Sequence, residues 1–262
     1  MPFTFAHPAA AVIVRRAIRR GWLPLAPFAI GAMSPDFEYV LRLEPWARLG
    51  HTWPGIATFS LPVALAVVAW WEWQGGEAIR ALAGLESSAA RLLRAWPARR
   101  VTTIVAATTL GVATHIAWDG FTHWDGWAAT LFPVIAERVT RAAPQFLWAN
   151  VFQHTSTLVG SAVVLTWYYR QLQSRSVSSR LLSASRIKAL VAIALPTLAI
   201  ALWNAPRAGT ITDTFQLKII AGRFVVGAMA GLAIALVGYA FWWRSTGPRA
   251  FHEHETAPAI DR

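Results

Sequence analysis

Apolar runs too long for an ordinary water-soluble core set the first constraint on this chain. Five of them are long enough, or nearly so, to cross the roughly 30 Å hydrocarbon layer of a bilayer. They are 53–73 (WPGIATFSLPVALAVVAWWEW), 101–118 (VTTIVAATTLGVATHIAW), 147–169 (LWANVFQHTSTLVGSAVVLTWYY), 189–205 (ALVAIALPTLAIALWNA) and 224–243 (FVVGAMAGLAIALVGYAFWW). With 55% hydrophobic and only 14% charged residues, the chain is too apolar for a soluble domain of its length. Trp70, Trp71, Trp73, Trp118, Trp148, Trp167, Trp203, Trp242 and Trp243, with Tyr168 and Tyr169, lie near the run ends, where amphipathic rings prefer the headgroup level. The expected fold is all-α: a polytopic membrane helical bundle of about five transmembrane helices. Pro62 and Pro196 interrupt two runs, which a bundle tolerates when neighbouring groups satisfy the freed carbonyls. Gly227 and Gly231, four apart, permit close contact between two helices.

The first fifty residues differ. Segment 8–20 (PAAAVIVRRAIRR) combines apolar residues with a four-arginine cluster at helical spacing, and 22–33 is apolar but short and broken by proline. Both are expected to lie on the membrane or re-enter it. No cleavable signal peptide is expected, because the basic cluster interrupts the early apolar sequence. The tail 244–262, with Pro, His and Glu, reads as flexible. A formal charge of +11 comes from arginines and lysines placed between the apolar runs rather than along one amphipathic face. That pattern suits anionic lipid headgroups as partners and argues against nucleic acid. With no cysteine in the chain, any metal must be held by His, Asp or Glu.

The chemistry-bearing residues gather where apolar runs end. THIAWDGFTH (114–123) puts His115 and Asp119 one helical step apart, on one face and close enough to share an ion. The same spacing also suits a plain hydrogen-bonded pair at a helix end. His51 lies just before the first run and His154 near the start of the third. Because successive spans alternate direction, these four side chains fall on one side of the membrane. SPDFEY (34–39) adds Asp36 and Glu38, and FAHP (5–8) adds His7 ahead of a helix. His123 and Asp125 follow in the loop. Ionisable groups at membrane depth are costly and usually functional. Mixed imidazole and carboxylate donors suit a divalent metal, zinc first, manganese or iron next, and an open coordination position would hold a water of lowered pKa.

MPFTFAHPAA, GAMSPDFEY, His51 to Gly55, and THIAWDGFTHWDGW followed by FQHTST resemble, in order and spacing over about residues 1–170, the DUF4184 family of uncharacterised bacterial membrane proteins. Residues 171–262 carry no such resemblance; 171–243 read as two further helices of the same bundle. The pattern also resembles, more distantly, bacterial inner-membrane proteins named as membrane-bound metal-dependent hydrolases, which share the HxxxD spacing with zinc phospholipase C. That resemblance implies His7, Asp36, His51, His115 and Asp119 as metal ligands. The chain departs from the hydrolase pattern where Pro-Asp-Phe-Glu replaces an acid-rich PDxDH and where Thr follows His51, which weakens the case for a second metal.

Two function classes follow. In the first, the chain is a metal-dependent hydrolase at the membrane surface, acting on a lipid or another small-molecule ester. Glu38, His123, Asp125 and His154 then stand as acid/base or supporting groups. In the second, it is a non-enzymatic membrane protein, a transporter, carrier or assembly factor, in which the cluster is structural or ligand-binding. The donors gather at one end of the runs and not at the bilayer midplane, which favours a surface site. No GxSxG elbow, Walker loop or dinucleotide glycine pattern is present. Nothing in the sequence sets an oligomeric state. By the positive-inside rule the arginines of loops 74–100 and 170–188 are cytoplasmic, provided that Arg15, Arg16, Arg19 and Arg20 belong to a surface-lying helix. The cluster of this multi-pass protein then faces outward.

Overall fold

The structure, a computed structural model, describes residues 3–18, 23–85, 98–141, 146–173, 184–205 and 214–246. Arg19, Arg20, Arg91, Arg94, Arg175, Arg180 and the tail with His252 and His254 lie outside the described residues. Among those described, no strand forms, and the regular elements are helices: α1 (Pro8–Ile18), α2 (Leu25–Met33), α3 (Phe37–Arg42), α4 (Trp53–Leu82), α5 (Ala98–Thr122), α6 (Trp127–Leu131), α7 (Trp148–Gln173), α8 (Ala184–Asn204) and α9 (Thr214–Thr246).

Four of these, α4, α5, α8 and α9, are long and apolar enough to cross a membrane. The expectation was about five. Segment 147–169 does become helix, and the 26 residues of α7 suffice in length. Its first half, however, carries Asn150, Gln153, His154, Thr155, Ser156 and Thr157, and this polar content leaves it outside the apolar set. At eleven and nine residues, α1 and α2 are too short to span. Pro62 does not break α4. A π-helical widening over Ile56–Ser60 precedes it, where the ring removes a backbone donor, and the helix continues through Leu61–Trp70.

The chain forms two compact units. The first comprises Met1–Glu38, Ala47–Val68 and Ala95–Gln171. Its centre is the packing of α2 on α5, where glycines let the backbones touch. A Cβ on Gly31 would stand 2.2 Å from the Thr108 carbonyl oxygen, and one on Gly111 would stand 2.2 Å from that of Phe28. Buried Ala11, Leu23, Phe28 and Ala107 fill the space beside this crossing. The N-terminal turn Thr4–Ala6 rests on α7: Phe3 N–H donates to Thr157 Oγ1 at 3.0 Å, and Ala6 abuts Gly160.

The second unit comprises Tyr39–Trp46, Ala69–Arg94 and Leu172–Arg262. Here Gly227 packs against Ile200 and Ala201, and Gly231 against Pro196 and Thr197, so their four-residue spacing does bring α8 and α9 together. Buried Asn204 donates through Nδ2 to the carbonyls of Leu43 (3.2 Å) and Arg223 (2.8 Å). Ala78 and Leu82 from the end of α4 join Ala189, Ile193, Tyr239 and Trp243 in one buried cluster.

The α2–α5 crossing predicts a specific asymmetry among glycines. Gly111→Ala and Gly31→Ala drive a methyl group into backbone and are expected to lower stability by about 1–3 kcal/mol. Gly238→Ala, in open space on α9, is expected to be neutral or slightly stabilising. Thermal unfolding of the detergent-solubilised variants checks this.

Candidate metal centre

Five side chains from four separate stretches of the first unit meet near the ends of α4 and α5. His115 and Asp119 come from successive turns of α5, both buried. The His115 ring is oriented by its far nitrogen: Nδ1 lies 2.7 Å from the Ala32 carbonyl oxygen and must donate to it. In its neutral form the ring then turns the Nε2 lone pair toward the cluster. Asp36 sits in the turn Ser34–Asp36, fully buried, with Oδ2 accepting from Thr4 Oγ1 at 2.6 Å and Oδ1 facing the histidines. His7 follows the N-terminal turn and stacks on His115 with ring centroids 3.8 Å apart.

His51 precedes α4, whose N-cap is Thr52, with Oγ1 accepting from Gly55 N–H at 3.1 Å. The loop that carries His51 is held by Glu38. Its carboxylate accepts the backbone N–H groups of Arg48, Leu49 and Gly50 at 2.9, 2.9 and 2.6 Å. Ser60 Oγ donates to the Gly50 carbonyl at 2.9 Å, and a Cβ at position 50 would stand 2.4 Å from the Pro35 carbonyl oxygen. Only glycine fits there without moving backbone.

The donor spacing is the informative measurement. His51 Nε2 is 3.1 Å from His115 Nε2, 3.3 Å from Asp36 Oδ1 and 3.2 Å from Asp119 Oδ2. His115 Nε2 is 3.5 Å from Asp36 Oδ1 and 3.3 Å from Asp119 Oδ2. Ligands at about 2.0–2.1 Å from a tetrahedral ion are separated by edges of about 3.3 Å. All five separations match such edges. His7 Nε2 stands slightly outside, 3.7 Å from Asp119 Oδ1. Asp36 Oδ1, both Asp119 carboxylate oxygens and His7 Nε2 are buried without a hydrogen-bond partner, as donors awaiting a cation would be.

Electrostatics point the same way. With both carboxylates ionised and the imidazoles neutral, the cluster would carry two negative charges in a buried space, the charge that a divalent ion neutralises. In the metal-free chain a proton partly serves instead. Burial disfavours a charged His51 ring, but the Asp119 and Asp36 carboxylates outweigh it and push its pKa up to about 9. For His7, burial and then the neighbouring His115 lower the pKa to about 4, so that ring is neutral at physiological pH.

The remaining sequence candidates are placed differently. Glu38 is buried, and its carboxylate is engaged by the 48–50 backbone, so it positions the His51 loop. His123 Nδ1 donates to the Asp119 carbonyl at 2.9 Å, closing the end of α5, and burial lowers its pKa. Asp125 and His154 are exposed, and neither offers an atom to the converging groups. The supporting residues Thr4, Ala32 and Ser60 escaped sequence reading. A lone threonine, a backbone carbonyl and a serine inside an apolar run carry no pattern of their own.

The profile of DUF4184, described as a domain of unknown function, matches residues 1–241. The chain belongs to the DUF4184 family. The match extends well past residue 170, so α8 and most of α9 are part of what defines this DUF4184 protein and not an unrelated addition. No curated protein and no solved structure matches it.

The Glu38 arrangement carries a prediction. Glu38→Ala removes three backbone anchors of the His51 loop without removing a donor, and is expected to lower about 10–100-fold the affinity of these donors for any divalent ion they can hold. Chelator competition on purified protein measures it.

Proposed function

We propose that this DUF4184 chain binds one divalent metal ion, zinc first, through Asp36, His51, His115 and Asp119, and acts as a metal-dependent hydrolase on an ester at the membrane surface. The observation that supports it is the set of donor separations between 3.1 and 3.5 Å in a buried, doubly acidic cluster. The bound ion would supply Lewis acidity toward an ester oxygen and toward water. Hydrolysis then adds the hydroxyl of water to the acyl carbon or phosphorus and its proton to the departing alcohol.

The chain's own residues divide the work. Asp36 and Asp119 balance charge, and Ala32 and Thr4 orient the donors behind them. His51, whose side chain is 19% exposed against 0% for His115, marks the edge reached by substrate. His7, neutral and beside Asp119, offers an acceptor at that edge. One ion is proposed, because the two groups of convergent donors share His115. The arginine distribution supports an outward-facing site in a multi-pass cell-membrane protein.

A second reading rests on the same geometry. If Asp36, His51, His115 and Asp119 all bind one ion, they fill a tetrahedron as in structural zinc sites, whereas catalytic sites keep a position open. A non-enzymatic protein with a structural ion would hold zinc and turn over no ester. Hydrolysis of a chromogenic carboxylic ester or phosphodiester by the zinc-loaded chain, absent from His51→Ala, separates the two.

Elemental analysis of the detergent-purified chain tests the shared premise. About one zinc per chain is expected in wild type, with near-complete loss in His115→Ala and Asp119→Ala and none in His154→Ala or Asp125→Ala. A metal-free wild type that keeps its native unfolding behaviour would sink the proposal.

Binding should also release a proton. Below about pH 9 His51 is protonated in the metal-free chain, and the ion must displace that proton. Affinity is therefore expected to rise with pH, by about tenfold per unit for one proton, and to level off above that pKa. His7, already neutral, adds nothing to the slope above pH 5 or so. Calorimetry in buffers of different ionisation enthalpy reads the released proton directly.

A further inference from the structure

A cavity of about 580 Å³ opens in the first unit between the N-terminal turn, α1, α5 and α7. Its size is that of a small-molecule site, about 300–1,000 Å³. Ile13 and Val14 of α1, Ala117 and Phe121 of α5, and Val159 and Val163 of α7 supply walls that are predominantly apolar. Of the three hydroxyls on its lining, those of Thr114, Thr155 and Ser156, the first already donates to the Gly111 carbonyl at 2.7 Å and the last to that of Phe152 at 2.5 Å. Such a space offers water little to bond, and water needs two to four polar partners to stay. Ala117 and Phe121 belong to a helix long and apolar enough to span a membrane, where hydrocarbon is the medium beside an apolar wall.

One wall is not apolar. His7 lines the cavity, is 7% exposed, and carries an Nε2 with no hydrogen-bond partner 3.7 Å from Asp119 Oδ1. Ala117 and Phe121, two residues either side of Asp119, share a face of α5 different from that of the metal donors, so it is His7, stacked on His115, that joins the cavity to the cluster. The greasy space and the acidic cluster thus share a boundary.

We propose that this cavity is an acyl-chain site, taking one hydrocarbon chain of a membrane lipid whose ester end lies against His7 and the metal donors. The inference rests on the hydrolase reading for what happens at that end, and names the substrate class as an acyl-bearing lipid ester. The apolar walls select the chain by length and shape, and His7 marks where hydrocarbon gives way to polar headgroup.

The full chain is reconstituted in phosphatidylcholine vesicles doped with a phospholipid carrying a photoactivatable diazirine on its acyl chain, and adducts are mapped by mass spectrometry. In wild type, adducts are expected to concentrate on Ile13, Val14, Ala117, Phe121, Val159 and Val163, above the level at Leu195 and Ile234, which are exposed apolar residues of the other unit. Val159→Trp and Ala117→Phe fill the cavity from exposed positions and are expected to lose those adducts while keeping their zinc. Labelling spread evenly over the cavity residues, Leu195 and Ile234 overturns the acyl site and leaves the zinc centre standing. His51→Ala is expected to lose zinc and keep the adducts. A wild type that concentrates adducts in the cavity yet contains no metal supports the acyl site and defeats the hydrolase reading instead.

Discussion

Two buried carboxylates, Asp36 and Asp119, face the same imidazoles, and their mutual repulsion must be offset before this unit can hold together. Charges removed from water lose their solvation, and only opposite charge or hydrogen bonds at close range restore it. His51 does this with a proton in the metal-free chain, as its pKa of about 9 reports. A divalent ion would do it more completely, because it neutralises both carboxylates at once.

The surrounding architecture serves that arrangement. Close packing of α2 on α5, permitted by Gly31 and Gly111, carries the Ala32 carbonyl to His115 and so decides which nitrogen faces the donors. Glu38 gathers three backbone N–H groups into a tight loop, and that loop delivers His51. Thr4 restrains one oxygen of Asp36 and leaves the other for the cluster. Each donor is thus aimed by a contact that is not itself a donor. The same N-terminal segment that brings His7 also forms one side of the apolar cavity, so the acidic cluster and the space beside it are products of one packing event.

Much of this was legible in the residues. Long apolar runs with aromatic ends announced membrane helices because the bilayer imposes one length and one polarity on any span. The four-residue step from His115 to Asp119 announced a shared helix face. Other features were not legible for stated reasons. The segment 147–169 looks like a span by its apolar second half, whereas α7 as a whole is diluted by the polar residues of its first half. Glu38, two residues from Asp36, reads as either an acid/base or a supporting group, and only the fold shows its carboxylate turned to a loop ten residues away, where it holds the backbone that carries His51. Span parity predicts His154 on the membrane side of the cluster, but parity addresses only the level of a side chain and not its azimuth around the helix.

What the sequence determined by itself was the solvent in which each segment is stable and the chemical types of donor available at one end of the spans. Both follow from local composition, since hydropathy and side-chain identity need no partner to act. What only the tertiary structure decided was which donors converge, at separations of 3.1 to 3.5 Å, and which cavity adjoins them. Asp36, His51 and the α5 pair lie up to 83 residues apart along the chain, and a distance of a few ångströms across that separation is set by helix packing and loop anchoring, which no local pattern encodes.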